Sequence, residues 1–409
     1  MNLKLEQSTI NNQQSKIQIS GSKSESNRIL LLQAFYPKIE IENLSNSDDS
    51  QVMSEALTTS SHIIDVHHAG TAMRFLTAYF SIQNGREVVL TGSDRMKERP
   101  IKILVDALRT LGADIRYMES EGFPPLKING KSLTQNKVTL KANVSSQYIS
   151  ALLLIAPKLE NGLELTLEGK ITSVPYIHMT LSLLKEVGIE TSFIENIIKV
   201  SPKSSISNQK LIIESDWSSS SYFYSILALS EVGTKITLSS YKEHSLQGDS
   251  VLAKIYQQFG VTTTFFNNRI KIQKRANINQ KTFIEIDLSN APDIAQTIAV
   301  TCFALGLECY LKGLHTLKIK ETNRLLALKI EIEKLGGEVS ITEDSLSLKA
   351  SKVIKSQVAI DTYNDHRMAM AFAPLALRTS LIINAAEVVS KSYPGFWTDL
   401  KNIGFQISE

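Results

Sequence analysis

The 409-residue sequence predicts a mixed α/β protein built as two pseudo-symmetric lobes. Three observations lead there. The chain is too long for one ordinary core, since domains run to roughly 100–200 residues. Apolar residues make up 43% and charged residues 21%, a balance that supports packed cores and excludes disorder and fibrous structure. Finally, an amphipathic helix followed by Gly and a short alternating strand recurs along the chain. It appears in LVDALRTLGADIRY (104–117), LSLLKEVGIETSF (181–193), VLAKIYQQFGVTTTF (251–265), ALKIEIEKLGGEVSI (327–341) and WTDLKNIGFQIS (397–408).

The glycines of this pattern are Gly112, Gly188, Gly260, Gly336 and Gly404. Each stands just past a helix end, where a left-handed residue is cheapest without a Cβ. The strand that follows alternates, so it needs a sheet with one buried face. Segment 51–66 has the form of a sixth unit that lacks its Gly. Units this long do not fit a solenoid period. Two α/β lobes fit, with helices packed inside shared cores and a division near 213–217.

The balance of 44 Lys+Arg against 41 Asp+Glu gives +3. That argues against a broad nucleic-acid surface but leaves room for a local cationic pocket. The opening residues contain no apolar signal-peptide core, and no uncharged stretch reaches the roughly 18 residues of a membrane span. A soluble, cytoplasmic protein is expected. Cys302 and Cys309, if both on one helix, would lie about 10 Å apart, too far for a disulfide, and are read as core thiols.

Polar and cationic clusters interrupt the apolar pattern. GSKSESNR (21–28) lacks the spaced glycines of a nucleotide-binding phosphate loop. Its Lys23, Ser24 and Arg28 enter an apolar helix, with Ser24 and Arg28 one turn apart and able to face one ligand; a helix cap with solvated charges is the plain alternative. In HHAGTAMRF (67–75), Gly70 permits close backbone approach, and free N–H groups at a helix start favour an anion; Arg74 could be a structural ion-pair partner instead. SDRMKERP (93–100) carries Arg95 and Arg99, or is simply a solvated loop. Ser145, Ser146 and Gln147, with Ser173 and Tyr176, suit phosphate and hydroxyl ligands, although such clusters usually cap helices. Asp216 before Ser218–Ser221 reads as a cap.

The second half supplies acids and bases. Asp293 precedes an apolar helix, where an N-cap is the plain reading. KIKETNR offers Lys320, Glu321 and Arg324; YNDHRMAM offers Asp365, His366 and Arg367; Lys391 follows a strand-like run, where a lone Lys is usually solvated. No metal-ligand spacing occurs, so no metal is expected. The cations Lys23, Arg28, Arg95, Arg99, Lys320, Arg324, Arg367 and Lys391 come from both halves and suit a pair of anionic substrates.

From GSKSESNR through AGTAMR, RMKERP, SSQ, SxPY, PD, KETNR and YNDHRMAM to Lys391, the chain closely resembles the EPSP synthase family. That resemblance implies two lobes, each of three βαβαββ units with helices inward and sheets outward, like an inside-out α/β barrel. It divides the chain into 21–214, which would bind shikimate 3-phosphate, and 1–20 plus 215–409, which would grip phosphoenolpyruvate. It implies transfer of the enolpyruvyl group of phosphoenolpyruvate to the 5-hydroxyl of shikimate 3-phosphate, without metal or organic cofactor. Small-molecule substrates are the only partners expected, with no nucleic acid and no membrane, and the protein is expected to be a monomer.

Carried over by position, Lys23, Ser24 and Arg28 would hold shikimate 3-phosphate, with Lys23 also reaching phosphoenolpyruvate. Ser145, Ser146 and Ser173 would bind its phosphate, Tyr176 would flank them, and Gln147 would lie between the substrates. Gly70, Arg99, Arg324, Arg367 and Lys391 would grip phosphoenolpyruvate. Asp293 would orient the shikimate hydroxyls and take the 5-hydroxyl proton, while Glu321 would protonate the methylene carbon. Lys320 would touch the shikimate phosphate, and Lys23 and His366 join the catalytic candidates. Thr316 stands where the family often has an Asn that contacts shikimate. Phe75 replaces a usual Pro, His68 a usual Asn, and the stretch from 49 to 70 is short. Gly70 is expected to leave room for glyphosate, the family's inhibitor. The sister transferases acting on UDP-N-acetylglucosamine typically carry a Cys in the loop matching 93–100, which has none here. A non-catalytic anion binder is the other alternative.

Overall fold

The computed structural model describes residues 1–10, 15–141, 145–169, 171, 174–278 and 283–409. The chain forms two compact units, Met1–Gly21 with Glu214–Glu409, and Ser22–Ile213.

Five sheets share one plan: a parallel pair extended by two antiparallel strands. In the Ser22–Ile213 unit, Lys137–Lys141 runs parallel to Leu163–Glu168, which pairs antiparallel with Ile197–Val200, and that in turn with Thr191–Ile194. Ile63–Asp65, Glu87–Thr91, Leu126–Asn129 and Asp114–Tyr117 repeat the arrangement. Strands such as Lys137–Lys141 alternate exposed and buried residues, so one face meets water and the other a helical core.

The first strand of each of these pairs, and Gln209–Ile212 of a sixth pair, leads into a helix buried over most of its length. In this unit these are Lys23–Phe35, Gly70–Ser81 and Ser146–Ile155. In the other they are Trp217–Leu229, Ala295–Leu305 and His366–Phe372. After the second strand comes a helix buried on one face only, such as Lys102–Leu111. A helix apolar around its whole circumference belongs inside, and one with a single apolar stripe belongs at the boundary. The mixed α/β fold with helices inward and sheets outward therefore follows from the sequence pattern. All five repeat glycines have positive φ, from 74° at Gly260 to 113° at Gly404, as their place after a helix end requires.

The sixth unit is abbreviated. Its sheet, among the described residues, is one parallel pair, Ile39–Glu42 with Gln209–Ile212. The helix Asp48–Thr58 is followed directly by the first strand of the next unit, Ile63–Asp65. The Gly is missing because the hairpin it would turn into is missing.

The N-terminal residues supply two strands to the unit containing Glu214–Glu409. Leu3–Leu5 lies between Leu381–Ile383 and Ile407–Ser408, and Ser15–Ile17 runs parallel to Lys235–Ser239. The cysteines depart from the sequence reading. Cys302 is on the buried helix and Cys309 on the strand Glu308–Lys312, because Gly306 (φ 70°) turns the chain back. Their thiols are in hydrogen-bonding contact; burial, then the neighbouring sulfur, pushes the Cys302 thiol well up. The 10 Å separation therefore does not hold, although both remain free thiols. No helix among the described residues is long and apolar enough to cross a membrane.

Candidate functional site

The candidate residues are concentrated at the N-termini of the buried helices, where unpaired N–H groups and the helix dipole favour negative charge. Lys23, Gly70, Ser146, Ser218 and Arg367 all sit in a first helical turn, and Asp293 lies in the turn Pro292–Ile294 just before one.

In the Ser22–Ile213 unit the cluster is cationic with hydroxyl support. Arg28 is 2% exposed. Its Nε donates to Thr180 Oγ1 at 2.8 Å, Nη2 to Ser150 Oγ at 2.9 Å and Nη1 to the Ser24 carbonyl at 2.7 Å. Its guanidinium lies over the rings of Phe75 and Tyr176. Burial lowers its proton affinity, to about 10, leaving it charged at neutral pH. Arg28 is thus a preorganised cation held by residues far along the chain; Ser150 and Thr180 carried no sequence signal.

Lys23 Nζ lies 3.2 Å from Asp49, which is also 3.9 Å from His68 Nε2. Ser145 caps its helix by accepting from the Gln147 N–H, and Gln147 Nε2 donates to Thr71 Oγ1. Tyr176 is in the helix Val174–Glu186. Ser173 lies outside the described residues.

Arg74 is buried, and its Nη1 donates to Met96 Sδ at 3.4 Å. Arg74 also donates to the carbonyls of Gly70 and Pro100, and the Tyr148 hydroxyl joins it on Pro100 at 2.6 Å. This clamp fixes the backbone beside Arg99. A Cβ on Gly70 would sit 2.5 Å from Nη1 of Arg99, so the space expected to stand open over Gly70 is occupied by a guanidinium. Gly70→Ala should displace Arg99 without disturbing the fold, raising KM for an anionic substrate held by Arg99 about tenfold, or ~1.4 kcal/mol, while KM for one held at the Arg28 cluster stays put. Steady-state kinetics with each substrate varied checks this; unchanged KM values would reject it. Arg95 faces solvent and pairs with Glu98, which removes it from the pocket cations.

In the other unit a single guanidinium organises the acids. Arg324, 2% exposed, donates from Nε to Asp365 at 2.6 Å, from Nη1 to Asp293 at 2.8 Å and from Nη2 to Glu321 at 2.8 Å. The guanidinium expected to grip phosphoenolpyruvate thus also carries three carboxylates. Lys320 lies 3.6 Å from Asp293, and Arg367 donates to the Asp293 carbonyl at 3.0 Å. Burial alone would raise the proton affinity of Asp293, but Lys320, Arg367 and Arg324 outweigh it and hold the carboxyl well below the usual range. Asp293 thus spends its charge on cations rather than on a helix cap, whereas Asp216 caps Trp217–Leu229 by accepting from Ser219.

Tyr363 and Asn364, both left-handed (φ 53° and 57°), turn the chain so that Asp365 caps the helix His366–Phe372. Strained backbone of this kind persists where surrounding contacts enforce it. Lys391 Nζ donates to the Asn364 carbonyl at 2.7 Å, which ties it to this loop. His366 is buried, 3.9 Å from Asp365. Thr316 is in the turn His315–Ile319 with its hydroxyl covered and unpartnered. No group of three or more His, Cys, Asp or Glu among the described residues could hold a metal ion.

A family model described as EPSP synthase (3-phosphoshikimate 1-carboxyvinyltransferase) matches residues 56–400. A 3-phosphoshikimate 1-carboxyvinyltransferase of Bacteroides fragilis is 47% identical over 396 residues, covering 96% of this chain and 95% of that protein. One from Haemophilus influenzae is 36% identical over 420 residues, covering 95% and 96%. The solved EPSP synthase from Acinetobacter baumannii superposes with a TM-score of 0.79 at 20% identity, over the full length of both chains.

Proposed function

The chain belongs to the EPSP synthase family and transfers the enolpyruvyl group of phosphoenolpyruvate to shikimate 3-phosphate, and we propose that it does so with the two clusters described above. The observation that carries the assignment of roles is the Arg324 hub, which holds Asp293 and Glu321 on one guanidinium.

Lys23, Ser24, Arg28, Ser145, Ser146, Gln147 and Tyr176 bind shikimate 3-phosphate, with Thr316, Lys320 and Ser173 as further contacts. Gly70, Arg99, Arg324, Arg367 and Lys391, with Lys23 and Gln147, bind phosphoenolpyruvate; Arg324 also holds the acids. Glu321 protonates the methylene carbon, the 5-hydroxyl attacks the adjacent carbon, and the tetrahedral adduct then loses phosphate by C–O cleavage while its new methyl group returns a proton to the Glu321 carboxylate, restoring the double bond. Asp293 accepts the hydroxyl proton. Held by three cations it is a poor base, and it gains basicity when the substrates' anionic oxygens draw Lys320 and Arg367 away. Glu321 accepts from Arg324 here, so it donates a proton only after that bond loosens. His366 sits beside this cluster. The protein works as a cytoplasmic monomer, with these small molecules as its only partners.

The experiment is phosphate release from the purified protein, with each substrate omitted in turn. Release should require both; release with UDP-N-acetylglucosamine replacing shikimate 3-phosphate, or binding of both substrates without turnover, would overturn the reading.

A further inference from the structure

A buried carboxyl in the unit containing Glu214–Glu409 has no part in the scheme above. Asp249 lies in the turn Gly248–Val251 and is 5% exposed. Gln247 fastens that turn to the start of the helix Trp217–Leu229, accepting from the Trp217 N–H and donating to the Ser215 carbonyl. Asp249 Oδ2 accepts from the Ser218 hydroxyl, and the oxygen of that hydroxyl accepts from Nη2 of Arg367 at 3.2 Å. The same Nη2 lies 3.5 Å from Asp293 Oδ2. One end of the Arg367 guanidinium is therefore balanced by two carboxyls, one direct and one through a hydroxyl, while its buried Nε has no hydrogen-bond partner.

We propose that Asp249 is a positioning residue that acts through Ser218 on Arg367, setting how much of that guanidinium's charge an incoming phosphate or carboxylate meets. This rests on reading Arg367 as a phosphoenolpyruvate contact. The charged groups acting on Asp249 are Asp293, Arg367 and Asp216. Burial first, then Asp293, pushes its carboxyl up to about 7, against the pull of Arg367 and the Ser218 hydrogen bond. Protonated, Asp249 leaves Arg367 balanced by Asp293 and Asp216. Ionised, it adds a second negative charge and weakens the attraction for an anion.

Binding of phosphoenolpyruvate therefore favours the protonated form, and its KM should rise about tenfold between pH 6 and pH 8 from this group alone. In Asp249→Asn the amide oxygen still accepts from Ser218 but carries no charge, so that component disappears. The measurement is the ratio of wild-type KM to Asp249→Asn KM across this range, in which the substrate's own ionisation cancels. A ratio that climbs about tenfold supports the proposal; a constant ratio overturns it. Ser218→Ala is the second variant: loss of its hydrogen bond should move the wild-type KM rise to higher pH, and an unmoved midpoint overturns the relay. Arg367→Ala separates the two levels. If it leaves KM for phosphoenolpyruvate unchanged, the reading of Arg367 fails and the proposal with it. If it raises KM while the ratio stays constant, the role of Asp249 alone falls.

Discussion

Asp293→Asn is expected to lower kcat at least about a hundredfold while leaving KM for both substrates unchanged or lower. The two halves of that result have separate causes. The amide cannot accept the 5-hydroxyl proton, so the chemical step loses its base. The same change removes the negative charge that Lys320, Arg324 and Arg367 share, so the cluster becomes more cationic toward anionic ligands. A fall in kcat without a rise in KM marks an interaction that serves the transition state rather than binding. Steady-state kinetics of the variant checks it; a wild-type kcat removes Asp293 from the chemistry. A tenfold rise in KM with kcat intact would make it a binding residue only.

Arg324→Met should be the most damaging single change for stability. It takes the guanidinium from Asp365, which is 0% exposed, and removes one cation each from Asp293 and Glu321. Breaking a buried pair from one side costs about 3–5 kcal/mol, because the charge left behind has lost both water and partner. Arg324→Lys keeps the charge but cannot offer the planar fork that reaches three carboxylates, so its loss should be intermediate. Loss of Arg324 relaxes part of the pull that holds the Asp293 carboxyl low, so lowering the pH should let that carboxyl take up a proton and return part of the lost stability to the Met variant. Urea unfolding at pH 8 and pH 5 measures both effects. A loss below about 1 kcal/mol, in the range of exposed pairs, would show that the hub is not what holds these acids.

The sequence made the repeat and the helix starts legible because both are local. A Gly after a helix, a Ser or Asp before one and an alternating strand are written within a few residues. The positive φ of Gly112 and the capping by Asp216 and Ser145 follow from such signals. Pairing across the chain leaves no local trace. Thr180 stands 152 residues from Arg28, and Asp365 stands 41 from Arg324. Charge alone marked Arg324 and Arg95 alike; only the fold shows the first buried among three carboxylates and the second paired at the surface. Asp249, in the unremarked run QGDSV, was missed because its environment is made by Ser218 and Arg367, residues remote in sequence.

The abbreviated sixth sheet has a consequence for breathing motions of the backbone. Among the described residues no strand pairs with either outer rim of this lone parallel ribbon, and Ile212 in it is 54% exposed. Few contacts resist its fraying, so its amides should trade hydrogen for deuterium ahead of those in the inner strands of the four-stranded sheets. Leu163–Glu168, enclosed on both sides, is the natural slow standard. Ile39–Glu42 and Gln209–Ile212 should be the fast pair, marking where this half of the chain first loosens.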